Sequence, residues 1–136
     1  MSNITQVVNT DKSMKTLKKG LHYSDLDQLL SSSGPFTFFA PSDTAFEKQG
    51  NSFMDNLLTA ANKPVLTELL RNHILDSMVS FQNLKDGDKI TTINGKELLV
   101  TVKDGRVNID DNPIEIRQQR ISNGVLHFTD TVFLKK

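Results

Sequence analysis

The chain has 136 residues, of which 37% are hydrophobic and 24% charged, enough apolar side chains for one globular core. Sixteen basic residues balance sixteen acidic ones, so no overall field draws the chain to nucleic acid or to an anionic membrane. The absence of cysteine excludes disulfides, thiolate metal sites, cysteine nucleophiles and iron–sulfur clusters. No apolar run approaches the roughly 18 residues of a membrane-spanning helix. Met1-Ser2-Asn3-Ile4-Thr5-Gln6 is polar and lacks the basic and apolar regions of a signal peptide. With no internal repeat and no linker, one domain over residues 1–136 is expected.

The first quarter reads as helical. Ile4, Val7 and Val8 have the i, i+3, i+4 spacing of an amphipathic turn. Asp11 is placed to cap a second helix, with Met14 and Leu17 inward, Lys12, Lys15, Lys18 and Lys19 outward, and Gly20 closing it. Ser24 or Asp25 caps a third, with Leu26, Leu29 and Leu30 inward. Gly34 and Pro35 break the pattern. Phe36 to Phe39 then has the aromatic and β-branched composition of a buried strand, and Pro41 stops it. Ser42, Asp43 and Thr44 are capping residues, and Thr44-x-x-Glu47 fits a capping box. After a loop at Gln49-Gly50-Asn51, Ser52 caps a helix with Phe53, Leu57 and Leu58 inward. Asn62-Lys63-Pro64 opens another whose buried face is Val65, Leu66, Leu69 and Leu70.

From Phe81 the period changes to two. Asn94-Gly95 and Asp104-Gly105 are hairpin signals. Two-residue loops would pair Ile93 with Lys96, Thr91 with Leu98, Val102 with Val107 and Val100 with Ile109. One face then carries Ile93, Leu98, Val100, Val102, Val107 and Ile109, the expected core side. Ile90 and Leu99 break the alternation and suggest a second covering layer. A turn at Asp110-Asp111-Asn112-Pro113 leads to a short strand with Ile114 and Ile116. Asn123-Gly124 turns into a last strand from Val125 to Leu134. Helices followed by a block of antiparallel strands predict an α+β fold.

Three stretches together resemble the fasciclin domain family. They are Gly34 to Phe46, Asn72-His73-Ile74-Leu75, and Ser122 to Leu134, the last containing Asn-Gly, a hydrophobic pair, His127 and Asp130. Their order and spacing fit across the whole chain. The resemblance implies an α+β wedge, with antiparallel β-sandwich-like sheets and helices packed along one side, in a single-domain, bacterial-type member. It also implies an adhesion or binding module without catalytic activity, at an extracytoplasmic or cell-surface location that the residues alone do not fix. Asp43, Thr44, His73, Asn123, Gly124 and Asp130 fall on its motifs as structural residues. Asn72 and His73 occupy its Tyr-His segment and are candidate binding residues, with Asn72 where animal adhesion members carry Tyr.

On chemical grounds, Asp43 is first of all a helix cap, whose carboxylate accepts backbone N–H bonds. His73, beside an apolar helix face, is expected to be buried and bonded to backbone or to Asp43. No Gly-x-Ser-x-Gly elbow accompanies them, so no hydrolase triad and no catalytic residue is assigned. His22, His73 and His127 lack zinc spacing, and the acidic loops lack the calcium-loop pattern, so no metal or other cofactor is expected. Lys15, Lys18 and Lys19 share one helix face and form a candidate binding patch. His127 points away from Leu126 and Phe128 and is expected to be exposed or half-exposed. The leading expectation is a monomeric, non-enzymatic module recognising a protein or polysaccharide at a cell surface, through loops or the lysine face. The alternative is a small-molecule or lipid-binding protein using a cleft between helices and sheet.

Overall fold

The computed structural model describes residues 3–50 and 52–133, so Asn51 of the expected loop and Leu134 of the expected last strand lie outside the described residues. Helix α1 (Ile4–Thr10) opens with a capping box: Gln6 N–H donates to Asn3 Oδ1, and Asn3 N–H to Gln6 Oε1, both at 2.9 Å. Asp11 does not cap α2 (Lys15–Tyr23). Its carboxylate accepts from the backbone N and hydroxyl of Ser13 at 2.8 and 2.7 Å, two residues on. Gly20 lies within α2 and does not close it; a Cβ there would meet Met54 Cε at 3.3 Å, so the glycine permits close helix packing. Helix α3 (Leu26–Leu29) is a single turn.

Strand β1 (Phe36–Pro41) runs into α4 (Asp43–Glu47). The cap position is Ser42, without a side-chain bond, so α4 begins before the expected capping box of Thr44 and Glu47, and Thr44 is exposed inside the helix. Helix α5 (Phe53–Leu57) and a 3₁₀ turn (Ala60–Asn62) lead to α6 (Lys63–Arg71), with Pro64 tolerated in its first turn. Leu66 and Leu70 are buried, but Val65, expected inside, is 56% exposed.

The remaining strands are β2 (Ile74–Leu75), β3 (Lys89–Thr91), β4 (Glu97–Lys103), β5 (Arg106–Ile109), β6 (Asn112–Ile121) and β7 (Gly124–Thr129). They form one seven-stranded series in the order β2-β1-β7-β6-β5-β4-β3. The fold is α+β, but the sheet is mixed: β1 and β7 run parallel, which the expectation of wholly antiparallel, sandwich-like sheets did not include. Ile93 N–H donates to Ile74 O at 2.9 Å, so the two ends of the series meet and the sheet nearly closes on itself.

The hairpin at Asp104-Gly105 has the expected register, with left-handed φ of 54° and 76° at its two turn residues. The hairpin at Asn94-Gly95 is slipped by one residue. Thr91 pairs with Glu97 and Ile90 with Leu98, and Thr92 N–H donates to Lys96 O. The Thr92 hydroxyl bonds to Asn94 Oδ1 and accepts from Lys96 N, which favours the longer loop. The slip puts Ile90 on the side of Leu98 and sends Ile93 to the helices. Leu99 is 43% exposed, so among the described residues no covering layer lies over it. Strand β6 is longer than expected, and Ile121 pairs with Gly124, so Ser122 and Asn123 form the turn and Gly124 begins β7.

Alternation along β1 and β7 divides the interior into two cores. Phe36, Phe38, Ala40, Leu126 and Phe128 face the helices. Phe39 points the other way, into the curved sheet, with Leu75, Val100, Ile109, Ile114 and Phe133. Full burial of each of these side chains other than Ala40 contributes about 1.5–3 kcal/mol.

Candidate functional site

Several motif residues bind the chain to itself. Asn123 donates to Leu30 O and Ser32 O at 2.7 Å each and accepts from Ile4 N at 3.0 Å, joining the β6–β7 turn to α1 and the end of α3. Gly124 lies against β1, where an added Cβ would sit 2.0 Å from Phe36 O. Asp43 Oδ1 accepts from Thr16 N at 2.8 Å, so it caps the start of α2 across the fold. Asp130 pairs with Lys48 at 3.1 Å on the surface.

The expected Asp43–His73 hydrogen bond is not formed. His73 has no exposed surface; its Nδ1 donates to Leu69 O and its Nε2 accepts from Phe133 N, both at 2.9 Å. The accepted N–H fixes the tautomer, with the proton on Nδ1. Burial pushes the imidazole down to about 4, only partly opposed by its backbone acceptors. Phe133 stacks on His73, and Phe39 lies against both Phe133 and His127. His127, expected at the surface, is fully buried, because the sheet curves over the face that the alternation assigned to solvent. Its Nε2 bonds to Val79 O at 2.8 Å, its Nδ1 has no partner among the described residues, and burial lowers its pKa.

The Asn72-His73 segment therefore does not offer its histidine to a partner. Helix α6 ends at Arg71 and the chain turns inward to β2. Asn72 is 5% exposed, and its Oδ1 accepts from Asn94 Nδ2 at 2.9 Å. The lysine face has the opposite character. Lys15, Lys18 and Lys19 are exposed on α2, with no carboxylate within ion-pair distance among the described residues. A second surface feature is an open groove of about 530 Å³ between α5 and α6, reaching the β3–β4 hairpin; a cleft between helices and sheet was the alternative expectation, but the residues that line this groove were not singled out in the sequence as its walls. The exposed Val65 was its only signal, and helical periodicity assigns that residue to the core.

Comparison with known proteins agrees with this construction. The fasciclin domain model matches residues 12–135. Protein sll1483 of Synechocystis sp. is 30% identical over 131 residues, covering 96% of this chain and 72% of the relative. Transforming growth factor-beta-induced protein ig-h3 of Sus scrofa is 31% identical over 134 residues, covering 98% of this chain but only 19% of that much longer protein. A solved FAS1 domain pair from the insect cell adhesion molecule Fasciclin I superposes with a TM-score of 0.84 at 19% identity, covering 98% of this chain and 51% of the other. The motif residues at the helix–sheet joints, the near-closed sheet and these matches together show that the chain belongs to the fasciclin domain family.

Proposed function

We propose that this chain is a non-enzymatic, adhesion-type module that binds an acidic polysaccharide or an acidic protein surface outside the cytoplasm through the lysine face of α2, acting as a monomer and without a cofactor. The reading rests on one observation: Lys15, Lys18 and Lys19 share a helix face, and none is neutralised by a carboxylate among the described residues. The likeness to a cell adhesion molecule supports the same class of work. Such a patch binds by screened Coulomb attraction, which weakens over a Debye length of about 8 Å at physiological salt.

The test is chromatography on a sulfated polysaccharide at low ionic strength. The unaltered chain is expected to be retained and to elute as salt rises. The triple variant Lys15→Gln, Lys18→Gln, Lys19→Gln is expected to elute at clearly lower salt with its unfolding curve unchanged. Equal retention of the two proteins would remove the lysine face from the reading.

A further inference from the structure

A small hollow between α2, α4 and α5 borders the lysine face and shares Lys19 with it. Its volume of about 210 Å³ lies below the range of about 300–1,000 Å³ common for drug-sized ligands, so it admits one small ring. Buried Phe46 and Met54 and half-buried Leu58 give it an apolar floor. Lys19 on α2, Glu47 at the end of α4 and Asp55 in the first turn of α5 are exposed around it. Half-buried Thr16, three residues before Lys19, lies on the same side of α2.

Among the described residues, none of these four side chains has a hydrogen-bond or ion-pair partner; Thr16 is tied to Asp43 only through its backbone N–H. A carboxylate accepts hydrogen bonds and donates none, whereas an ammonium donates and accepts none. The occupant that completes the hollow therefore brings O–H donors to Glu47 and Asp55 and an anionic group to Lys19. Cationic donors are disfavoured, because Lys15, Lys18 and Lys19 place three positive charges on the adjoining helix face. An acidic side chain of a protein supplies the anion without the hydroxyls, and meets the two carboxylates as like charges. A sugar ring bearing a carboxylate or sulfate supplies both groups, and its C–H side fits the apolar floor.

We propose that the hollow holds one ring of an acidic polysaccharide, with the anionic group on Lys19, neighbouring hydroxyls on Glu47 and Asp55, and the rest of the polymer along Lys15 and Lys18. The site rests on the lysine-face reading and selects the polysaccharide from its two classes of partner. It also reverses the effect expected of two residues. By charge alone Glu47 and Asp55 repel a polyanion; as acceptors of hydroxyl groups they hold one through charge-assisted hydrogen bonds.

The test is calorimetric titration of the full chain at low salt with two probes: oligogalacturonate, a uronic acid oligosaccharide, and poly-L-glutamate with the same number of carboxylates. Oligogalacturonate is expected to bind about tenfold more tightly, because it alone brings hydroxyls. Glu47→Ala with Asp55→Ala should weaken oligogalacturonate binding about tenfold and tighten that of poly-L-glutamate. The milder pair Glu47→Gln with Asp55→Asn should weaken oligogalacturonate binding about threefold, which keeps the test valid if the alanine pair disturbs the fold. Glu97→Gln with Asp111→Asn removes the same charge from exposed positions on the strand side and should cause no loss. The site is overturned by equal affinity for the two polymers, by unchanged or tighter oligogalacturonate binding in the Glu47 and Asp55 pairs, or by an equal loss in the Glu97 and Asp111 pair. Undiminished binding by the triple variant Lys15→Gln, Lys18→Gln, Lys19→Gln would instead overturn the lysine-face reading itself. Loss of binding in that variant, with a gain in the Glu47 and Asp55 pairs, would strike the hollow alone.

Discussion

A histidine with both ring nitrogens bound to backbone groups and no contact with water works as a joint. His73 links the end of α6 to residue 133, and Phe133 lies flat against its ring at a centroid distance of 4.6 Å. His73→Phe keeps the aromatic volume but leaves Phe133 N and Leu69 O without their partner. We expect a loss of about 2 kcal/mol in urea unfolding, and a change below a few tenths would show that these groups find other partners. Gly124→Ala should be at least as damaging. Its Cβ would fall 2.0 Å from Phe36 O, inside the parallel β1–β7 pair, where neither strand is free to move. A loss of about 3 kcal/mol is expected from thermal unfolding, and a variant of native stability would contradict that close approach. Glycine's meaning at 124 was only partly legible: the Asn-Gly pair signalled a turn, whereas the demand for no side chain comes from a strand at the other end of the chain. His127 teaches a related lesson. Its direction, opposite to Leu126 and Phe128, followed from alternation, but the pattern does not reveal what covers the second face.

Elements were legible where local chemistry decides them and obscure where a neighbour does. The Phe-rich strand, Pro64 in the first turn of α6 and the Asp104-Gly105 hairpin all form as read, because backbone conformation and hydrogen bonding within a few residues specify them. The Asn94-Gly95 hairpin slipped because Thr92 supplies side-chain bonds that stabilise a longer loop. Asp43 has the residue type of a cap, but the N–H groups it can reach are set by packing, and it bonds to α2 instead of serving the start of α4. Asp43→Ala should therefore cost about 1 kcal/mol in urea unfolding, with faster amide exchange at the start of α2. Faster exchange confined to α4 would contradict the cross-element cap.

For the molecule as a whole, the two buried histidines predict acid sensitivity. Both imidazoles have folded-state pKa values below the unfolded value, His73 at about 4 against 6.5. Between those limits the unfolded chain binds more protons than the folded one, so stability is full above about pH 6.5 and falls as pH drops. The His73 contribution reaches about 3 kcal/mol once pH is below its folded value. Urea midpoints measured from pH 7 to pH 4 should decline, and the decline should be shallower in His73→Phe. Identical slopes in the two proteins would assign the acid sensitivity to other groups. At this scale the class of fold was readable from the order of elements, but closure was not. No local pattern announces that Ile93 will donate to Ile74, or that β7 will lie parallel beside β1.

That parallel pairing has a consequence for how the chain is made. Strand β1 lies between β2 and β7. Its hydrophobic side chains leave the ribosome well before β7, which begins only at Gly124. Until β7 emerges, one edge of the most aromatic strand has no hydrogen-bonding partner, and contacts between such distant segments form slowly. Nascent chains halted before Gly124 should therefore present an open, apolar strand edge, the kind of surface that recruits chaperones or pairs with another copy.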